Sequence, residues 1–333
     1  MGRRTMVTAL CAAALVLLLP AAASAAGEIT PASGPLAGGT VVSVVSPAGL
    51  ASVTGSGLYS LGFLPDGSLY AWGADGSEQL GDGPGQIDQF APVPVAAPPG
   101  VTFESIGAGG THVVALGSDG ATYAWGNDGS GQQGNGPGVN GQATPGLVTM
   151  PPGVTFTSVA AGGAASYAIG SDGNTYAWGA NSLGQLGDAS TDPTQSSPVL
   201  VATPPGVTFR QVSGGAAHAL ALDTNGNAYA WGSNFYGQLG TGVSGAVERT
   251  PLPVAMPVGV TFTSVSAGDY HSLALGSDGN VYAWGLDMFG GLGDDVALVD
   301  QSAPVLIAAP PGVSFVSVSA RAFHSLALAN DGT

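Results

Sequence analysis

Residues 278–285 read Asp-Gly-Asn-Val-Tyr-Ala-Trp-Gly, a turn dipeptide running directly into a short aromatic strand. Asp-Gly accepts the positive φ angles of a tight type I′ turn, so it predicts a hairpin between Val281–Trp284 and the apolar run His271–Leu275 before it. Further back, Val260–Val265 is β-rich and roughly alternating. Further on, the loop Gly290-Gly291-Leu292-Gly293 leads to Ala303–Ile307, a fourth strand ahead of Pro310-Pro311. Proline beside that strand suits a sheet edge, because proline cannot donate to a ladder.

The same pattern recurs along the chain. Trp72, Trp125, Trp178, Trp231 and Trp284 are spaced 53 residues apart, each inside Ala-Trp-Gly, and no other tryptophan exists. A turn dipeptide precedes each one (Asp66-Gly67, Asp119-Gly120, Asp172-Gly173, Asn225-Gly226, Asp278-Gly279), and Gly-Val-Thr-Phe-like starts follow from Gly100 onward. A last turn, Asp331-Gly332, would place the next tryptophan at 337, past Thr333. Four short antiparallel strands in a repeat of this length make a propeller blade, which cannot bury both faces alone and must stack on its neighbours. The expected fold is therefore all-β, a β-propeller of four-stranded antiparallel blades with about five full blades and a partial sixth. Its tryptophans are expected between blades, each burying roughly 150–250 Å².

Charge and composition narrow the function. Met1–Arg4 supplies positive charge, Met6–Leu19 an apolar core and Ala23-Ser24-Ala25 a small-residue cleavage site, so residues 1–25 read as a secretory signal peptide. The predicted setting is secreted or at the extracellular cell surface. No later apolar run is long enough to cross a bilayer, so no membrane span is expected. The only cysteine, Cys11, lies in the leader, which leaves the mature chain without a disulfide, thiol nucleophile or cysteine metal site. The 333 residues carry a formal net charge of −16 and no lysine; beyond the leader, Arg210, Arg249 and Arg321 face 21 acidic residues. Such a surface repels phosphate backbones and excludes nucleic acid as a partner.

The strand Tyr282-Ala283-Trp284-Gly285 and the loop Asn234-Phe235-Tyr236-Gly237-Gln238-Leu239-Gly240 resemble the regulator-of-chromosome-condensation repeat, over residues 56–333. The resemblance implies a propeller whose usual ring has seven blades. A chain with fewer than six periods would then form an incomplete ring, continued by a longer gene product or closed by an N-terminal strand. It also implies two functional alternatives, guanine-nucleotide exchange on a small GTPase and inhibition of an extracellular enzyme. Ile29–Val44 resembles the opening of an IPT/TIG domain, common in exported bacterial repeat proteins, and residues 26–55 read as a linker with one such strand.

No catalytic arrangement stands out: the mature chain has no His-Glu-x-x-His, no Gly-x-Ser-x-Gly and no phosphate-cradling loop, so a non-enzyme without cofactors or metals is expected. His112, His218, His271 and His324 share one blade position, with Tyr59 and Ala165 filling it elsewhere, and read as histidines bonded within their own blades. Asp75, Asp128, Asn181, Asn234 and Asp287, three residues after each tryptophan, read as Asx-turns opening the loops. The loop tips Leu183, Phe235, Tyr236, Met288 and Phe289 are the candidate partner-binding residues, since exposed aromatics and methionine suit a recognition hot spot. The predicted function is an interaction module that binds a protein or glycan through one face of the propeller.

Overall fold

A computed structural model describes residues 29–30, 43–44, 52–138, 141–295, 298–330 and 332. The expected signal peptide, residues 1–25, lies outside them. Two short strands, β1 (Ile29–Thr30) and β2 (Ser43–Val44), pair with each other. Five four-stranded antiparallel sheets follow. Blade one holds β3 (Ser52–Gly55), β4 (Tyr59–Phe63), β5 (Leu69–Gly73) and β6 (Gln89–Pro94). Blade two holds β7 (Phe103–Ala108), β8 (His112–Gly117), β9 (Thr122–Gly126) and β10 (Gly146–Leu147). Blade three holds β11 (Phe156–Ala161), β12 (Ala165–Gly170), β13 (Thr175–Ala180) and β14 (Thr194–Leu200). Blade four holds β15 (Phe209–Gly214), β16 (His218–Asp223), β17 (Ala228–Ser233) and β18 (Val247–Pro253). Blade five holds β19 (Phe262–Ala267), β20 (His271–Gly276), β21 (Val281–Gly285) and β22 (Gln301–Ile307). A sixth sheet contains β23 (Phe315–Arg321) and β24 (His324–Ala329). Five full blades and a partial sixth are what the repeat spacing predicts.

A hairpin turn forms at each Asp-Gly or Asn-Gly, but it is not type I′: only the glycine (Gly67, Gly120, Gly173, Gly226, Gly279) has positive φ. Its N–H bonds the carbonyl three residues back, as Gly120 does to Gly117, so the loop is a three-residue turn closed by a left-handed glycine. Inside the blades, the ladder between third and fourth strands slips opposite the tryptophan, as between Ala177 and Gly179 in blade three. Pro198 lies in that interval of β14, where the ladder needs no donor.

The core is distributed between blades. Each of five buried clusters draws on two adjacent sheets, for example Leu220, Ala230 and Leu239 of blade four with Phe262, Tyr282 and Trp284 of blade five. Trp125, Trp178, Trp231 and Trp284 are fully buried. Their indole nitrogens donate to the carbonyls of Gln79, Gln132, Gln185 and Gln238 in the preceding blade's loop, at 2.9–3.0 Å. Trp72 has no described blade before it and is only half-buried.

The loops are cut to fit these rings. At Gly187 (φ +66) an added Cβ would stand 2.7 Å from the Trp231 indole nitrogen. Gly187→Ala should therefore destabilise the chain by about 2 kcal/mol or more, since it combines overpacking with a left-handed backbone. A loss of unfolding free energy of under ~0.5 kcal/mol in urea titration would contradict that packing.

Candidate functional site

Antiparallel order puts the turn between each blade's first and second strands at the same end as the loop after its third. At this end the inner turns meet around the axis through backbone hydrogen bonds between blades. Gly110 donates to Gly162 and Gly163, Gly163 to Gly215, Ala216 to Asp269 and Asp269 to Ala322, at 2.9–3.3 Å. Small residues make this approach possible: a Cβ on Gly162 would stand 2.4 Å from the Gly215 carbonyl. They enclose a funnel of about 180 Å³, into which Asp269 and Arg321 bring the charged side chains. Burial pushes the Asp269 carboxyl up and Arg321 down, each opposed by the other's charge.

An aromatic rim flanks this funnel on the side of blades four to six. Tyr236, in the blade-four loop, meets Tyr270 of the blade-five inner turn edge-on at 5.6 Å. Tyr270 stacks on Phe323 of the sixth sheet's turn at 5.8 Å, and Phe323 meets Phe289 of the blade-five loop at 6.0 Å. Phe289 is 76% exposed, and Phe235, Met288 and Phe323 are also open to solvent. Its backbone is left-handed (φ 69) within a short 3-10 turn, Met288–Gly290. That conformation is unusual for a bulky residue and is found where a local environment holds a side chain in place.

Of the loop tips singled out by sequence, Tyr236 and Phe289 thus join one connected set, with Phe235 and Met288 beside them. Leu183 is partly buried in the blade-three loop and belongs to no such set. Tyr270 and Phe323, which link the set, escaped sequence reasoning. Both stand just before the repeated histidine position, where Thr111, Ala164 and Ala217 occur in blades two to four. An aromatic replacing a small residue only in the last repeats was the available signal.

The histidines require a correction. Their partners lie in the next blade: His112 Nε2 meets Ser166 Oγ at 2.9 Å, His218 meets Ser272 at 3.0 Å and His271 meets Ser325 at 3.1 Å. Each serine hydroxyl donates to the preceding loop's carbonyl, Gln132, Gln238 or Gly291. The serine proton is thereby committed, which makes histidine Nε2 the donor and leaves Nδ1 bare. At His112 and His218 this buried Nδ1 has no partner, so protonation there is disfavoured. Burial lowers His112 to about 4, His218 to about 3 and His271 to about 4. Blade three substitutes Ala165 for histidine, and Tyr167 donates to the Gln185 carbonyl instead.

The Asx residues also act differently from an Asx-turn. Their side-chain oxygens accept the backbone N–H five residues on, as Asn234 Oδ1 does from Leu239 at 3.1 Å and Asp128 Oδ1 from Gln133 at 2.9 Å. One side chain therefore spans and closes the whole loop. Among the described residues no three His, Cys, Asp or Glu gather where they could hold a metal ion. Nor does any described helix have the length and apolarity to cross a membrane.

Stacked four-stranded sheets with a glycine-lined axis and a loop-bearing rim define a β-propeller built from repeats. The family model described as RCC1-like domain matches residues 51–327, and the chain belongs to that family. The likeness of residues 29–44 to an IPT/TIG opening finds no support: the match begins later, and only the β1–β2 pair is described there.

The ultraviolet-B receptor UVR8 of Arabidopsis thaliana is 31% identical over 285 residues, covering 84% of this chain and 62% of the receptor. The human E3 ubiquitin-protein ligase HERC2 is 28% identical over 278 residues, covering 83% of this chain but 6% of the ligase. The chain thus spans less than two thirds of these relatives. Among solved structures, yeast RCC1 (Prp20) bound to Kap60 aligns with a TM-score of 0.72 at 26% identity, over 85% of this chain and 68% of that one. Human WBSCR16 aligns with a TM-score of 0.75 at 21% identity, over 84% of this chain and 72% of that one, and shows the fold alone.

Proposed function

We propose that this chain is an exported protein-binding module that acts by docking, without catalysis, through the aromatic rim of blades four to six. The observation that carries the reading is the connected series Tyr236–Tyr270–Phe323–Phe289, whose members lie on separate loops and of which Tyr236, Phe289 and Phe323 are exposed beside the funnel while Tyr270 is half-buried between them. Exposed aromatics on rigid loops bury large area on binding with little side-chain entropy to lose. The acidic, lysine-free composition favours a partner with basic residues around an apolar patch. Relatives support the reading by analogy, since yeast RCC1 is seen bound to the protein Kap60. Export is supported by the leader-like residues 1–25.

The test is an array of purified extracellular proteins and glycans probed with the full chain and with a Phe235→Ser/Tyr236→Ser/Met288→Ser variant. At least one protein should bind, and the variant should bind it about tenfold or more weakly while keeping the unfolding midpoint. An empty array, a glycan-only result, or binding indifferent to the three changes would contradict the proposal. For export, N-terminal sequencing of chain recovered from the medium should start at Ala26; retention in the cytoplasm would contradict it.

A further inference from the structure

The residue three after each tryptophan closes its loop, and in blades two and three it is met by the residue seven further on. Asn181 Oδ1 accepts the Leu186 N–H at 3.2 Å, and its Nδ2 donates across the loop to Asp188 Oδ1 at 3.1 Å. Blade two exchanges the two residue types: Asp128 accepts the Gln133 N–H at 2.9 Å, and Asn135 hydrogen-bonds its carboxyl. Blade four keeps an amide, Asn234, which donates to the Val243 carbonyl at 2.9 Å. Blades one and five carry aspartate at both places, Asp75 with Asp82 and Asp287 with Asp294. Asp75 and Asp287 still accept the N–H five residues on, from Leu80 at 3.0 Å and Leu292 at 3.1 Å. The atom that answers to the Asn181 amide nitrogen is now a second carboxylate oxygen. Asp75 and Asp287 are each 1% exposed, and Asp287 Oδ2 is buried without a hydrogen-bond partner. Across the loop, Asp82 and Asp294 accept from Gln89 and Gln301, both at 3.2 Å, which favours the ionised form of these outer members. Asp88 accepts the Asp75 backbone N–H at 2.9 Å, and Asp300 that of Asp287. Burial pushes the Asp75 carboxyl up, against the Leu80 N–H, and the charges of Asp82, Glu78 and Asp88 add to the rise. All three acids belong to its own loop; among the described residues no charged group of blade two acts on it.

We propose that Asp75–Asp82 and Asp287–Asp294 are proton-sharing carboxyl pairs, which lock the blade-one and blade-five loops when one member is protonated and loosen them when both ionise. The proton stands where blade three has an amide hydrogen: the inner carboxyl donates to the outer carboxylate, as Asn181 donates to Asp188. Like charges brought together in a buried site favour a shared proton over two ionised groups. Among the described residues no three acids gather to hold a metal ion, so one proton per pair is the neutralising charge that fits. With Asp75 raised in the folded chain, the stabilisation is complete below the ordinary aspartate value and is lost as pH rises through the raised one. Met288 and Phe289 directly follow Asp287, so the blade-five pair sets how firmly this part of the aromatic rim is held.

The experiment is urea unfolding of the full chain in a series from about pH 8 to about pH 5, a window that brackets a raised carboxyl, with Asp75→Asn, Asp287→Asn and Asp128→Asn. Each of the first two variants supplies the missing N–H and should raise the midpoint at the alkaline end by about 0.3 M or more, a gain that shrinks by about half or more at the acid end. Asp128→Asn removes the same charge from a loop that already holds an amide, and should bring no such gain. Carbon-13 NMR titration of the parent should show the Asp75 carboxyl taking up its proton above the ordinary aspartate value. Excess calcium chloride should leave the parent midpoint in place. Midpoints of Asp75→Asn and Asp287→Asn at or below the parent's at the alkaline end, an equal gain in Asp128→Asn, or an Asp75 carboxyl titrating at the ordinary value would overturn the proposal. So would a calcium-induced rise that the Asp75→Asn/Asp287→Asn variant lacks, since the pairs would then be cation sites.

Discussion

Truncating Trp231 to alanine is expected to destabilise the chain by about 3–5 kcal/mol, whereas the same change at Trp72 should cost about 1–2 kcal/mol. Trp231 is fully buried, stacks on Phe209 at 6.0 Å and donates to the Gln185 carbonyl across the blade junction. Its removal leaves a cavity walled by two sheets and by Gly187, none of which can close without moving a blade. Trp72 has the same sequence context but is half-buried, with no described loop laid over it. Urea unfolding of the two variants checks the difference, and equal losses would mean that the rings are not held by the blade before them.

Acid should unfold the chain well above the usual carboxylate range. His112, His218 and His271 are held neutral, with pKa values lowered from 6.5 to about 4, 3 and 4. Below pH 6.5 the unfolded chain takes up protons that the native imidazoles refuse, so stability is complete above that pH and falls as pH drops toward 4. Each shift corresponds to on the order of 3 kcal/mol once the window has been crossed. Asp75, Asp128 and Asp269, raised by burial, act in the opposite sense because the folded state prefers their neutral forms. A His218→Gln variant isolates the imidazole contribution: glutamine can still donate to Ser272 but does not titrate. Its midpoint should fall less between pH 6.5 and 4.5 than that of the parent, and parallel profiles would contradict the buried-imidazole account.

The fold was legible in the sequence because one requirement recurs every 53 residues: a tight turn, an aromatic strand and a glycine that lets the next indole approach. Each element of the motif answers to local geometry, so its spacing alone carries the blade. Bonds that cross blades were harder to read. His218 and Ser272 are 54 residues apart, and nothing local to either residue reveals the other. A trace did exist, since the blade with Ala165 in place of histidine is followed by Ala219 in place of serine, so both partners vanish together. The candidate rim was half legible. Tyr236 and Phe289 were visible as variable loop tips, but Tyr270 and Phe323 lie on a different turn, and only the ring geometry brings the two turns to one edge. Asp269 and Arg321 were hidden for the same reason, as residues of separate blades that meet only at the axis.

Solvent exchange of the five indole N–H groups, followed by proton–nitrogen NMR on the full chain, tests the stacking of blades most directly. Trp125, Trp178, Trp231 and Trp284 should exchange slowly, each locked onto the carbonyl of the preceding loop, while Trp72 exchanges fast. Five indoles exchanging alike, or Trp72 as protected as the rest, would contradict it.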